Sequence, residues 1–199
     1  MKDQAFWVDL QKVDHGFKFD IRYARSDNFM NEVIYPSANA FLLNHVTEDL
    51  IRVHQSLSRH GYGLLIFDAY RPWAVTKHFW DRSSDEMRQY LANPETGSSH
   101  NRGCAVDLSM FDLKTGLAVE MPSDFDEMNE KAHVAYAGGT AESRRLRDLL
   151  QSTMKENYFK GIANEWWHFN HVSHADHPVE NLTFEAMLLQ VQQIRPHKG

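Results

Sequence analysis

Residues 104–121 read CAVDLSMFDL, then KTG, then LAVEM: a β-rich run, a three-residue break ending in glycine, and a second β-rich run. Strands joined by so short a link pair antiparallel, because a parallel return needs a crossover of a dozen or more residues. The chain is therefore expected to hold a strand over 104–113, a turn at 114–116 and a returning arm over 117–121. Other strand signals fall nearby. FKFDIRYA (17–24) alternates apolar and polar residues, GLLIFDAYRP (63–72) is an apolar run ending in polar residues and proline, and WWHFNHV (166–172) is rich in aromatic and β-branched residues.

Helical spacing appears in separate blocks. Val46, Leu50, Val53 and Leu57 predict a helix near 46–60, with Thr47 as its cap and Gly61 as its stop. Further helices are expected at 74–81, 84–92, 140–158 and 183–194. Hairpin neighbours and blocks of helix favour α+β over a doubly wound α/β fold. With 199 residues and no repeat or linker, one domain over 1–199 is expected: a central antiparallel sheet flanked by helices.

Composition excludes several classes. The net charge is −6 with scattered Lys and Arg, so no basic stripe points to nucleic acid. No apolar run approaches the roughly 18 residues of a membrane span. The start, MKDQAFWVDLQK, has charges where a secretory signal needs an apolar region, and the expected compartment is the cytoplasm. A lone cysteine, Cys104, precludes an internal disulfide and weakens any thiolate-based zinc site.

Three stretches carry candidate chemistry. In SSHNRGCAVD (98–107), alternation along the strand sends Ala105 and Asp107 to one face and Val106 and Leu108 to the other. Gly103 permits a sharp approach, so His100 can fold back over Asp107. The pair reads either as two ligands of one zinc ion or as a loop histidine beside an exposed carboxylate. In NEWWHFN (164–170), alternation places Trp166 with His168 and Trp167 with Phe169. Glu165 and His168 can share a site only if the chain bends at Glu165. The alternative is an aromatic core strand with one satisfied histidine. In FDAYRP (67–72), Arg71 is held extended by Pro72 and could grip a carboxylate or an oxyanion. Asp68 could orient that Arg or bind a substrate amine, or the two could form a plain ion pair. Of the twelve histidines, His171, His174 and His177 read as solvated or as supporting partners of a site.

Together these stretches fit a pattern. SSHNRGCAVD matches S-x-H-x-x-G-x-A-x-D, EWWH matches E-x-x-H some sixty residues later, and YRP lies upstream of both. The chain resembles the zinc D,D-peptidases of cell-wall metabolism, most closely the D-alanyl-D-alanine dipeptidases of the VanX type. The likeness runs through IRYARSDNF (21–29), GYGLLIFDAYRP (61–72), RRLRDLL (144–150) and EWWHF (165–169). It implies a small α+β domain with one zinc on a central antiparallel sheet, bound by His100, Asp107 and His168. Glu165 is then the general base and Arg71 the stabiliser of the tetrahedral intermediate. Ser98, Tyr23 and Asp126 fall where the family has substrate contacts. Asp126 or Asp68 is expected to hold a substrate ammonium, and Ser98 a carboxylate. The implied reaction is hydrolysis of D-Ala-D-Ala to two D-alanines.

The D,D-carboxypeptidases, which trim longer wall peptides, tend to show E-P-W-H where this chain has Glu165-Trp166-Trp167-His168. That activity is the alternative reading, and a zinc-binding module without catalysis is a third. Cys104 departs from the pattern and is read as a buried small apolar residue pointing away from the zinc. The tail beyond about 178 matches no part of the pattern and is expected to cover an edge strand or mediate self-association.

Overall fold

The computed structural model describes residues 5–13 and 15–193. In chain order the elements are β1 (Trp7–Asp9), β2 (Lys18–Phe19), β3 (Phe41–Leu43), α1 (Asn44–Ser58), β4 (Tyr62–Asp68), α2 (Trp73–Arg82) and α3 (Asp85–Arg88). There follow β5 (Ala105–Asp112), α4 (Ala141–Glu156), β6 (Phe159–Ile162), β7 (Glu165–His171) and α5 (Phe184–Gln193). The main sheet has the order β2-β4-β5-β7-β6, and β1 pairs with β3 in a small sheet of its own. Every pair is antiparallel except β2 with β4 at one edge.

The helices follow their apolar spacing. Val46, Leu50, Val53 and Leu57 are fully buried along α1. Burying such a side chain contributes about 1.5–3 kcal/mol. α1 packs on β3 and β4, α4 packs on β6 and β7, and the two helices touch, so they share one face of the sheet. α4 starts where Thr140 Oγ1 accepts the Ser143 N–H at 2.9 Å, as a capping threonine does. Thr47 does not cap α1. Leu43 holds that position, and the Thr47 hydroxyl instead donates to the Leu43 carbonyl one turn back. The pattern at 84–92 yields only the single turn of α3.

Two strand expectations are shortened for local reasons. FKFDIRYA keeps only β2, because the chain turns into a 3-10 turn at Arg22–Ala24. Asp20 gathers Arg22 Nε at 2.8 Å and Arg25 Nη1 at 2.5 Å, and that local ion cluster favours the turn over a longer strand. The turn after β5 forms as expected, with the Asp112 carboxylate accepting the N–H groups of Lys114 and Thr115. Its returning arm is reduced to one bridge, Phe111 with Ala118, and Pro122 follows closely.

The tail covers the small sheet. Phe184 and Met187 of α5 are buried, and the Phe184 ring meets Tyr35 at 4.6 Å and Phe41 at 5.5 Å between centroids. Residue 194, the expected end of this helix, lies outside the described residues. Among the described residues, no helix is long and apolar enough to cross a membrane.

Candidate active site

β5 runs between β4 and β7, so its side chains meet neighbours from both sides. Asp107 stands opposite His168 on β7. His100 arrives from the 3-10 turn His100–Arg102, which ends at Gly103 with φ +63°. That left-handed conformation strains any residue with a Cβ, and a Cβ at 103 would lie 2.2 Å from the Trp7 ring. The turn therefore needs glycine twice over, once for its dihedral and once for its packing.

Three donor atoms converge. His168 Nδ1 lies 2.9 Å from Asp107 Oδ1, His100 Nε2 lies 3.3 Å from the same oxygen, and the two nitrogens are 3.1 Å apart. The outer nitrogens are tied elsewhere. His100 Nδ1 lies 2.6 Å from the Ala69 carbonyl, and His168 Nε2 lies 2.9 Å from Asn170 Oδ1. Both partners are acceptors, so in the neutral rings the N–H points outward and the lone pair inward. With both rings neutral, two lone pairs and a carboxylate oxygen face one another at these distances and favour a cation among them; without one, a proton on His168 Nδ1 binds Asp107 instead. His100, Asp107 and His168 are all buried. Two nitrogens, one oxygen and an open cavity side form the donor set of a catalytic zinc site, so these residues fit that metal.

The local charges follow from this packing. Burial pushes Asp107 up, but His100 and His168 outweigh it and hold the carboxyl well below its usual range. Burial disfavours a charged His168, yet Asp107 and Glu165 raise it on balance. Glu165 Oε2 sits 4.0 Å from His168 Nδ1. Burial, with a smaller contribution from Asp107, pushes the Glu165 carboxyl up to about 7, against the pull of His168 and Arg71.

The bend at Glu165 is present. Gly161 pairs with Phe169, yet its neighbour Ile162 already pairs with Glu165, so three residues of β7 bulge out between them. The bulge brings Glu165, Trp167 and His168 to one cavity. This corrects the alternation that set Trp167 on the far face with Phe169. Trp166 instead borders a separate cleft, where its indole N–H donates to Ser123 Oγ at 2.8 Å.

Arg71 bridges carboxylates. Its Nε and Nη2 bind Asp68 Oδ2 at 3.0 and 2.7 Å, and Nη2 also lies 3.5 Å from Asp107 Oδ2. Asp68 is spent on this and on Tyr35, whose hydroxyl donates to Oδ1 at 2.9 Å. It does not line the cavity; its carboxylate is taken up by Arg71 and Tyr35. The Arg71 guanidinium also lies over the rings of Tyr23 and Phe79, at 5.3 and 5.1 Å.

The cavity measures about 360 Å³ and is lined by Tyr23, Arg71, Ser98, Asp126, Glu165 and Trp167, together with the three convergent donors. Asp126 has φ +60° and accepts the Tyr23 hydroxyl at 2.9 Å. Burial, with the Asp107 charge second, pushes its carboxyl well above the usual range. Ser98 Oγ accepts the His100 N–H at 3.2 Å.

Further residues support the site and its strand. Asn101 is fully buried, with Nδ2 donating to the Arg71 carbonyl and to Thr76 Oγ1 while Oδ1 accepts the Ser98 N–H. It locks the His100 turn to the Arg71 segment. Asn170 lies two residues past His168 on the same strand, a period-two signal that could have marked it. His171, expected to be solvated or to support a site, is buried and bound to Asp49 Oδ2 at 2.9 Å.

The chain as a whole is similar to known dipeptidases. The chain is 32% identical over 179 residues to a D-alanyl-D-alanine dipeptidase of Escherichia coli, covering 90% of this chain and 91% of the relative. It is 33% identical over 181 residues to one of Enterococcus faecium, covering 80% and 88%, and 32% identical over 186 residues to one of Enterococcus faecalis, with the same coverage. The match to the family extends through residue 187, so the start of α5 lies within the shared pattern and corrects the expectation that it ends near 178. Residues 3–187 match the family described as D-ala-D-ala dipeptidase, peptidase M15, and the chain belongs to that family.

Proposed function

We propose that this protein hydrolyses D-alanyl-D-alanine to two D-alanines, with one zinc ion held by His100 Nε2, Asp107 and His168 Nδ1. The observation that carries the reading is the convergence of two imidazole nitrogens and a carboxylate oxygen within 3.3 Å, beside a buried carboxyl and a buried guanidinium. Zinc, when bound, lowers the pKa of water to about 7 and polarises a carbonyl.

The chain's own groups divide the remaining work. Glu165 sits beside the metal ligands without being one, so its carboxylate takes the proton of the attacking water and returns it to the leaving amine. Arg71, locked through Nε and Nη2 by Asp68 and lying over Tyr23 and Phe79, keeps the N–H groups of Nη1 for the oxygen that gains charge. A buried carboxyl such as Asp126 is costly to ionise without a cation. A free substrate ammonium would supply that cation, with Tyr23 fixing the orientation of the carboxyl. Ser98 is assigned to the substrate carboxylate.

The test is a comparison of rates on D-Ala-D-Ala, N-acetyl-D-Ala-D-Ala and a longer wall peptide, with zinc content measured on the same sample. Fast turnover of the free dipeptide alone is expected. Equal turnover of the blocked or longer peptide would favour the carboxypeptidase reading, and zinc without turnover would favour a binding module.

A further inference from the structure

A second convergence of metal-binding side chains lies outside the cavity. His45 comes from the first turn of α1, Cys104 immediately precedes β5, and His177 follows the 3-10 turn His174–Asp176. Each offers one ligand atom, the Cys104 Sγ and one imidazole nitrogen from each histidine, and these atoms all lie within 4.8 Å of one another. None of the three lines the active-site cavity. Strand alternation turns Cys104 away from the face that carries Asp107.

The surroundings hold the group in place. The His45 and His177 rings stack at 5.1 Å between centroids with 26° between planes. The Ser173 hydroxyl lies 2.9 Å from His45 Nε2 and 2.8 Å from His171 Nδ1, and His171 is anchored on Asp49. Arg102 Nη1 donates to the His177 carbonyl and pins that segment. Cys104 is fully buried, while His45 and His177 are half-buried.

We propose that His45, Cys104 and His177 form a second metal site, one that takes a single thiophilic divalent ion such as zinc with its fourth position open. Metal–sulfur and metal–nitrogen bonds of about 2.3 and 2.0–2.1 Å put tetrahedral donors roughly 3.5 Å apart, so the group needs to close by only about an ångström. One thiolate and two imidazoles form a softer set than the oxygen-containing set of the cavity, so the two sites differ in preference. Binding releases the thiol proton, because the thiolate is the ligand. Burial holds the metal-free Cys104 thiol up at about 12, which keeps the sulfur protonated until a cation arrives. The proposal does not depend on the catalytic reading.

The test is cobalt(II) titration of the metal-stripped full chain. Two equivalents per chain are expected, one of them bringing a sulfur-to-cobalt charge-transfer band in the near ultraviolet. Cys104→Ser should remove the band and one equivalent while leaving dipeptide hydrolysis unchanged. His168→Ala should remove the other equivalent and keep the band. If Cys104→Ser does not fold, His177→Ala retains the thiol and should also lose the band. A native chain without the band, or a band that survives His45→Ala and His177→Ala, overturns the site.

Discussion

Asp107 and His168 face each other directly across β5 and β7, with Oδ1 and Nδ1 2.9 Å apart, and His100 Nε2 closes on the same oxygen at 3.3 Å. The sheet itself sets the spacing of two of the three donors, and only the third depends on a turn. Replacing His168 or Asp107 with Ala should therefore abolish zinc binding at this site and hydrolysis together. A chelator should lower the melting temperature of the native chain, because a ligand held only by the folded state adds to stability. In His168→Ala that response should shrink, and differential scanning calorimetry with and without chelator measures it.

Glu165→Gln should keep zinc at the native stoichiometry and lose roughly 10²–10⁴-fold in kcat, the usual contribution of a positioned general base. Metal analysis beside steady-state rates separates this from a ligand role. Loss of zinc in step with activity would make Glu165 a ligand.

The raised Glu165 carboxyl also predicts a pH-dependent stability in the metal-free protein. Its ordinary value of 4.5 is pushed up to about 7 in the fold, so the folded chain binds this proton more tightly than the unfolded chain. The stabilisation is full below pH 4.5 and is lost as pH rises through 7. Glu165→Gln lacks the titration, so its stability relative to the native chain should grow between pH 4.5 and 7 and level off above. The upper limit of the change is on the order of 3 kcal/mol. Denaturant unfolding of both metal-free proteins across that range checks it, and a gap independent of pH would contradict it.

Arg71→Lys should not restore the native rate. The ammonium keeps the charge but cannot span Asp68 while presenting a second N–H to substrate. Arg71→Ala should lower kcat more than it raises KM, because the oxyanion develops fully only after attack. A change confined to KM would assign Arg71 to ground-state binding instead.

Asp126→Asn should raise KM for the free dipeptide and narrow its advantage over N-acetyl-D-Ala-D-Ala, which has no ammonium to lose. If both substrates slow by the same factor, Asp126 supports the fold of its loop and does not hold the amine.

The convergence of His100, Asp107 and His168 is legible because each sits in a short local pattern: a histidine, a glycine turn and a strand carboxylate, then a histidine three residues after a glutamate. α1 and α4 were legible through apolar residues at helical spacing. The facing of Trp167 was not, because the β7 bulge arises where pairing to β5 ends and pairing to β6 continues. β1 and β3, three residues each, carry too few positions for any period to show, and they exist only as each other's partner. Asn101 is not legible, because an isolated asparagine reads as a turn residue, and Asn170 shows only by its period-two spacing from His168. Their roles depend on the Arg71 carbonyl and the His168 ring, which the fold brings to them.

The donor facing Asp107 comes from a residue 61 positions away along the chain. An ion shared by both therefore ties off a long loop in a protein whose lone cysteine cannot form an internal disulfide. A permanent tie across such a loop would remove about 4 kcal/mol of chain entropy from the unfolded ensemble. An exchangeable one acts only while the ion is present. On the proposed zinc reading, metal in the surrounding medium would set the stability of the fold as well as its turnover.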